Sequence, residues 1–287
     1  MLVKKLEKTP YLFLSLAIIL FIFLTLYPII DVIYLSFHKY DFITGEKEFI
    51  SLKGYISCIE DPIFRTSIIN TLYFSLTATF SQTLLGLGIA ILVNRLKRIR
   101  KFLIPIVIAP NLLPVVVVVS AWKLLMDYDH GLLNYILKSL GFEKIGWLFD
   151  PKIVWPSIIL IDTWQWTPIC FLILLAGLQS IPKDLYEVAM IDGASSISLF
   201  FNITLPLLKP QLFLTLLLRS IDTFRIFEKV YLLTGGGPGI ATETISTYIF
   251  KNGLIFFELG KASAASVLMT LIIIVVGIFY IMNIMKR

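Results

Sequence analysis

The chain has 287 residues, 57% of them hydrophobic and only 15% charged, with a mean hydropathy of +0.87. Soluble domains carry roughly 25% charged residues, so this composition excludes an ordinary water-facing globule and makes a bilayer the solvent. The net charge of +6 does not mark a nucleic-acid partner, because the basic residues collect at the ends of apolar runs, where membrane topology requires them.

A helix needs about 20 apolar residues to cross a hydrocarbon core of about 30 Å. The first such run, Thr9 to Ile30, follows Lys4, Lys5 and Lys8. A secretory signal has a shorter apolar core followed by small residues, whereas this run continues into Tyr27, Pro28 and Tyr34, so a retained anchor helix is predicted. An outer loop leads to the second run, Thr66 to Asn94. A short loop carrying Arg95, Lys97, Arg98, Arg100 and Lys101 separates it from the third, Phe102 to Ala121. The fourth, Ile153 to Leu178, contains Asp162; the fifth, Leu207 to Leu233, contains Arg219, Asp222, Arg225, Glu228 and Lys229. The sixth, Ala262 to Met285, precedes Lys286 and Arg287.

These runs predict an all-α membrane protein of about six spans, with both termini in the cytoplasm beside the lysines and arginines. The expected division is an anchor helix with its outer loop over residues 1–66 and a membrane core over 67–287, with a cytoplasmic segment at 180–206. Cys58 and Cys170 fall in a loop and an apolar run, so no disulfide is expected. His38 and His130 are isolated, and the sequence predicts no metal site.

The cytoplasmic segment reads SIPKDLYEVAMIDGASSISLFFNITLPLLKP from Ser180. Pro182 suits a first helical turn, Asp184 and Glu187 suit its dipole, and Gly193 suits its end. Ser195 or Ser196 then caps a second short helix bearing Leu199, Phe200 and Phe201, which Pro206 is expected to stop. Periodicity alone leaves two readings open: a protruding lever between two spans, or an amphipathic hairpin on the membrane surface.

Glu187-Val188-Ala189, Gly193 and Ile203-Thr204-Leu205-Pro206 reproduce a pattern of E-A-A, three residues, Gly, nine residues and I-x-L-P, with Val188 as the one departure. In this the chain resembles the membrane subunits of binding-protein-dependent ABC importers. Leu233-Thr-Gly-Gly-Gly-Pro-Gly239 with Thr242-Glu-Thr, Trp164-Gln-Trp-Thr-Pro168 and Leu178-Gln-Ser-Ile-Pro182 resemble the carbohydrate group of that family.

The resemblance implies a type I importer permease that is not itself an enzyme. It implies a second homologous permease, two ATPase subunits, an extracytoplasmic solute-binding protein and a sugar or oligosaccharide as substrate. It also implies that Glu187, Ala189, Asp192, Gly193, Ala194, Leu199, Phe200, Phe201, Leu205 and Pro206 seat the chain on an ATPase. No P-loop occurs, and Gly260-Lys261-Ala262 lacks the hydroxyl that would hold Mg²⁺, so ATP and Mg²⁺ are expected on the partners and no cofactor on this chain. The Gly235–Gly239 run is expected to shape a turn on the outer side.

Charges at membrane depth cost several kcal/mol and usually face a cavity or one another. Asp162 and Arg219 fall at similar depths by helical rise, so they are expected to share one wet cavity. Resemblance to the maltose-type subunit extends the substrate path to Asp162, Gln165, Trp166, Arg219, Asp222, Thr223 and Ile226, with Arg219, Asp222 and Ile226 read as one helical stripe. A purely structural ion pair is the competing reading. Arg219 and Arg225 would also suit an anion such as a polyol phosphate, and an independent ion-coupled carrier is the other class.

Overall fold

A computed structural model describes residues 9–285 except Phe42 and Lys97. Lys4, Lys5, Lys8, Lys97, Lys286 and Arg287, which carry part of the topology argument, lie outside the described residues. The chain folds as two compact units, one from residues up to Phe64 together with Tyr248–Leu271, the other from Arg65–Thr247 with residues from Ile272 onward. The N-terminal unit thus includes a late segment that a simple division at residue 66 assigns to the core.

In the first unit, α1 (Thr9–Phe21) and α2 (Tyr27–Leu35) are joined by a widened π turn at Ile22–Leu26. None of the span Leu14–Leu35 is buried within the chain. The loop after α2 forms a two-stranded hairpin, which its sequence did not suggest: β1 (His38–Tyr40) pairs antiparallel with β2 (Lys47–Phe49), His38 opposite Phe49. Then α3 (Lys53–Glu60) buries Cys58. Next to it Asp61 accepts from the Tyr248 hydroxyl at 2.8 Å and the Lys261 ammonium at 2.9 Å.

The second unit is organised by α4 (Pro62–Arg95), of which it holds the part from Arg65, and by α8 (Val154–Ser180). Gly86 lets them approach: a Cβ there would sit 2.6 Å from that of Cys170. Two apolar cores flank the middle of these helices. One gathers Phe74 and Ala78 with Trp155, Ile158 and Ile161; the other gathers Ala90 and Val93 with Phe171, Leu174 and Leu178. Between them both helices carry a buried polar band, Ser75, Thr79, Gln82 and Thr83 on α4 and Asp162, Thr163, Gln165 and Thr167 on α8.

The third run is not a straight span. α5 (Arg100–Ile108) continues as a tight turn through Leu112, and α6 (Val115–Leu125) leaves it at 90°. Pro110 and Pro114 explain the break, since each lacks an N–H and Pro114 biases Leu113 to the extended conformation it adopts. α7 (Leu132–Ser139) follows in a loop. By length and composition five helices among the described residues qualify as spans, or six with the bent pair.

After α8 the chain enters α9 (Lys183–Ile191), turns at Gly193 and starts α10 (Ser196–Leu199), which passes through a π turn at Phe200–Thr204 into α11 (Leu205–Phe224). Pro206 therefore does not stop the helix. In the widened turn the Leu205 N–H reaches back to the Phe200 carbonyl, and Pro206 then falls in the first turn of α11, where its missing N–H is tolerated. The fifth span ends early, at Phe224. Glu228 and Lys229 lie beyond a break, on the separate α12 (Glu228–Thr234). α13 (Ile245–Phe250) and α14 (Leu259–Met285) complete the chain.

Candidate functional site

The break between α11 and α12 returns Lys229 into the polar band. Its ammonium donates to one oxygen of the Asp162 carboxylate, while Gln82 Nε2 donates to the other at 2.7 Å. Gln82 Oε1 accepts from Arg219 Nε at 2.7 Å, and Arg219 Nη2 lies 3.9 Å from Asp162. Arg219 Nη1 donates to Asp222 at 3.1 Å. Asp162, Arg219 and Lys229 are 4%, 2% and 3% exposed, which is sustainable only because each charge has partners. The Trp166 ring faces both cations, its centre 5.0 Å from the Arg219 guanidinium and 5.5 Å from the Lys229 ammonium.

These groups form a wall of a cavity of about 330 Å³ that also meets Phe74, Thr223, Arg225 and Glu228. Thr223 is held by Ser75 at 2.8 Å and Thr79 at 3.1 Å. Of the residues expected on the substrate path, Asp162, Trp166, Arg219, Asp222, Thr223 and Ile226 line this cavity. Ile226 does so from the turn after α11 and not from a helical stripe, since the helix ends at Phe224. Gln165 does not line it; its amide donates at 3.0 Å to the Leu113 carbonyl at the α5–α6 break. Sequence reasoning missed two central members, Lys229 and Gln82. The charged pair Glu228-Lys229 between Phe227 and Val230 was a signal for the first; nothing local distinguished Gln82.

At the α9–α10 corner Gly193 adopts φ +82°, and the Ala194 N–H reaches the Ala189 carbonyl at 2.9 Å. Ser195 caps α10 through the Ser198 N–H at 3.3 Å. Tyr186 and Thr204 hydroxyls, 3.0 Å apart, tie α9 to the π turn. Glu187, Asp192 and Gly193 are exposed, Ala189 and Ala194 half-buried, and Glu187 forms no ion pair among the described residues. The corner also exposes apolar groups to an unusual degree, Val188 at 59%, Ile191 at 85% and Ile197 at 72%. Phe201 projects outward with them, whereas Leu199 and Phe200 turn inward and line a second cavity of about 700 Å³. Leu205 and Pro206 open α11.

Residues 82–286 match the family described as binding-protein-dependent transport system inner membrane component. The chain is 38% identical to a trehalose/maltose transport system permease protein of Thermococcus litoralis, over 93% of this chain and 90% of that one. It is 36% identical to a sulfoquinovosyl glycerol transport system permease protein of Agrobacterium fabrum, over 90% and 84% of the two chains. Its fold is similar to that of a chain in the crystal structure of a bacterial ABC transporter involved in import of the acidic polysaccharide alginate, with a TM-score of 0.87, 24% identity and coverage of 100% and 99%. Family match and relatives agree with the motif at Glu187–Pro206 and with the membrane-crossing helices: the chain belongs to the binding-protein-dependent transport system inner membrane components, the permease subunits of ABC importers.

Proposed function

We propose that this chain forms half of the translocation path of an ATP-driven sugar or oligosaccharide importer. An extracytoplasmic binding protein delivers the substrate, a second homologous permease supplies the other half of the path, and two ATPase subunits hydrolyse the ATP. The names of the relatives support a sugar, since their own names refer to trehalose, maltose and sulfoquinovosyl glycerol.

The cavity around Asp162 is the observation that carries the reading. Its cations Arg219, Arg225 and Lys229 are matched by the carboxylates Asp162, Asp222 and Glu228. A balanced set suits a polyhydroxylated solute, because hydroxyls both donate to carboxylates and accept from cations. Trp166 offers a flat apolar face to a sugar ring beside these polar groups. The exposed apolar corner around Glu187 suits a groove on an ATPase, with Glu187 meeting a basic residue there. Both termini and this corner then lie in the cytoplasm.

Reconstitution tests this reading. Vesicles holding this chain with its permease partner, ATPases and binding protein should accumulate labelled sugar only when ATP is inside the ATPase compartment. Uptake by this chain alone, driven by an ion gradient, would instead make it a carrier.

A further inference from the structure

The second cavity, of about 700 Å³, is built unlike the first. Its charged lining residues are Arg95, Arg100 and Lys183, and among the described residues no Asp or Glu lines it. None of the three forms an ion pair among the described residues. Arg95 ends α4, whereas Arg100 and Lys183 occupy the first positions of α5 and α9. A cation at a helix N-terminus opposes the helix dipole, and neither helix has a side-chain cap there. The three cations give the cavity a net positive lining, which the helix end at Arg95 and Asp184, outside the lining, offset only in part. Its remaining wall is mixed: Ile91, Leu178 and Phe200 are among its apolar residues, and Asn94, Gln179 and Thr204 among its neutral polar ones.

A cationic mouth beside apolar and neutral polar groups, at the ends of spanning helices, matches an amphiphile whose headgroup meets the cations and hydrogen-bonding groups while its chain follows the apolar part of the wall. We propose that this cavity binds the phosphate headgroup of an anionic phospholipid from the cytoplasmic leaflet. The bound lipid neutralises the cluster beside the α9–α10 corner and braces that corner against α4 and α5. The leaflet assignment rests on the orientation proposed above; the binding site itself does not.

Native mass spectrometry of the purified full chain, titrated with phosphatidylglycerol, phosphatidylcholine or inorganic phosphate, tests the assignment. The expected result is retention of phosphatidylglycerol over phosphatidylcholine, undiminished by inorganic phosphate. Each of Arg95→Gln, Arg100→Gln and Lys183→Gln should weaken retention about fivefold, and Arg98→Gln, outside the cavity lining, should not. The singles are compared only where their thermal unfolding matches wild type; where none does, the lipid-class preference of the unmodified chain decides the question. Equal retention of both lipids, or loss unaffected by Arg95→Gln and Arg100→Gln, overturns the proposal. So does displacement by phosphate, which would mark a soluble anion site, or absence of the lipid from the assembled importer, which would give the cavity to a partner. Labelling of an Arg98→Cys variant from outside the cell would refute the orientation while leaving lipid retention intact.

Discussion

Lys229 and Asp162 form a buried ion pair that joins α12 to the middle of α8, across 67 positions of sequence. Arg219 stands behind the same carboxylate at 3.9 Å, so one buried Asp serves two cations, and Gln82 fixes the spacing between Asp162 and Arg219. The charge layer thereby locks α12 onto the long helix α8 at the level of the cavity.

Lys229→Met should leave Asp162 short of its nearest cation and destabilise the chain by about 3–5 kcal/mol, as should Asp162→Asn. The double variant should cost less than the sum of the two, because neither member of the pair is then left unmatched and Arg219 keeps Asp222. Thermal unfolding of the four proteins in one detergent measures the coupling, and strict additivity would show that the pair contributes no net interaction.

Gln82→Ala removes the bridge between Asp162 and Arg219 and leaves a buried donor and acceptor unmet. The expected cost is about 1–3 kcal/mol. Thermal unfolding reads it, and a cost under half a kcal/mol would mean that water or a neighbour replaces the amide.

Glu187 is exposed and unpaired among the described residues, so Glu187→Lys should change the stability of the isolated chain by no more than about 0.5 kcal/mol. Its effect should appear in the complex, as weakened co-purification of the ATPase subunits and loss of ATP-driven uptake. Normal uptake by this variant would remove the corner from the coupling role.

Burial pushes the Cys58 thiol up to about 11, and the side chain is fully covered. At pH 8 the thiolate fraction falls to about a thousandth, against about a quarter for a free thiol. Maleimide should therefore label Cys58 at least about a hundredfold more slowly than an Ile43→Cys variant, whose site is 94% exposed. Comparable rates would show that α3 opens away from Lys261 and Asp61.

Much of this architecture was legible in the sequence because bilayer thickness imposes a length on apolar runs that few other constraints mimic. Thr66 to Asn94 falls within one observed helix, and Ile153 to Leu178 falls within another but for Ile153, its N-cap, for that reason. The failures occurred where backbone chemistry overrode hydropathy. Pro110 and Pro114 bend an uninterrupted apolar run, and the π turn at Phe200–Thr204 lets Pro206 sit inside a helix that it was expected to end. Depth arithmetic brought Asp162 and Arg219 together, since rise per residue is fixed. It could not find Lys229, whose return to that depth depends on the break at Arg225–Phe227, a tertiary event with no periodic signature.

The account turns on the cavity beside Trp166 being the path of the substrate, and α8 carries its own control. Trp166 faces the cavity, while Trp164, two residues away, is 41% exposed and meets Trp122 edge-on at 5.8 Å. Initial rates of ATP-driven sugar uptake should be compared for the importer carrying Trp166→Ala and the one carrying Trp164→Ala, at equal amounts of assembled complex. Loss of the stacking face should slow Trp166→Ala by about tenfold, near 1.4 kcal/mol, with Trp164→Ala close to wild type. Wild-type uptake by Trp166→Ala would contradict the assignment of the path.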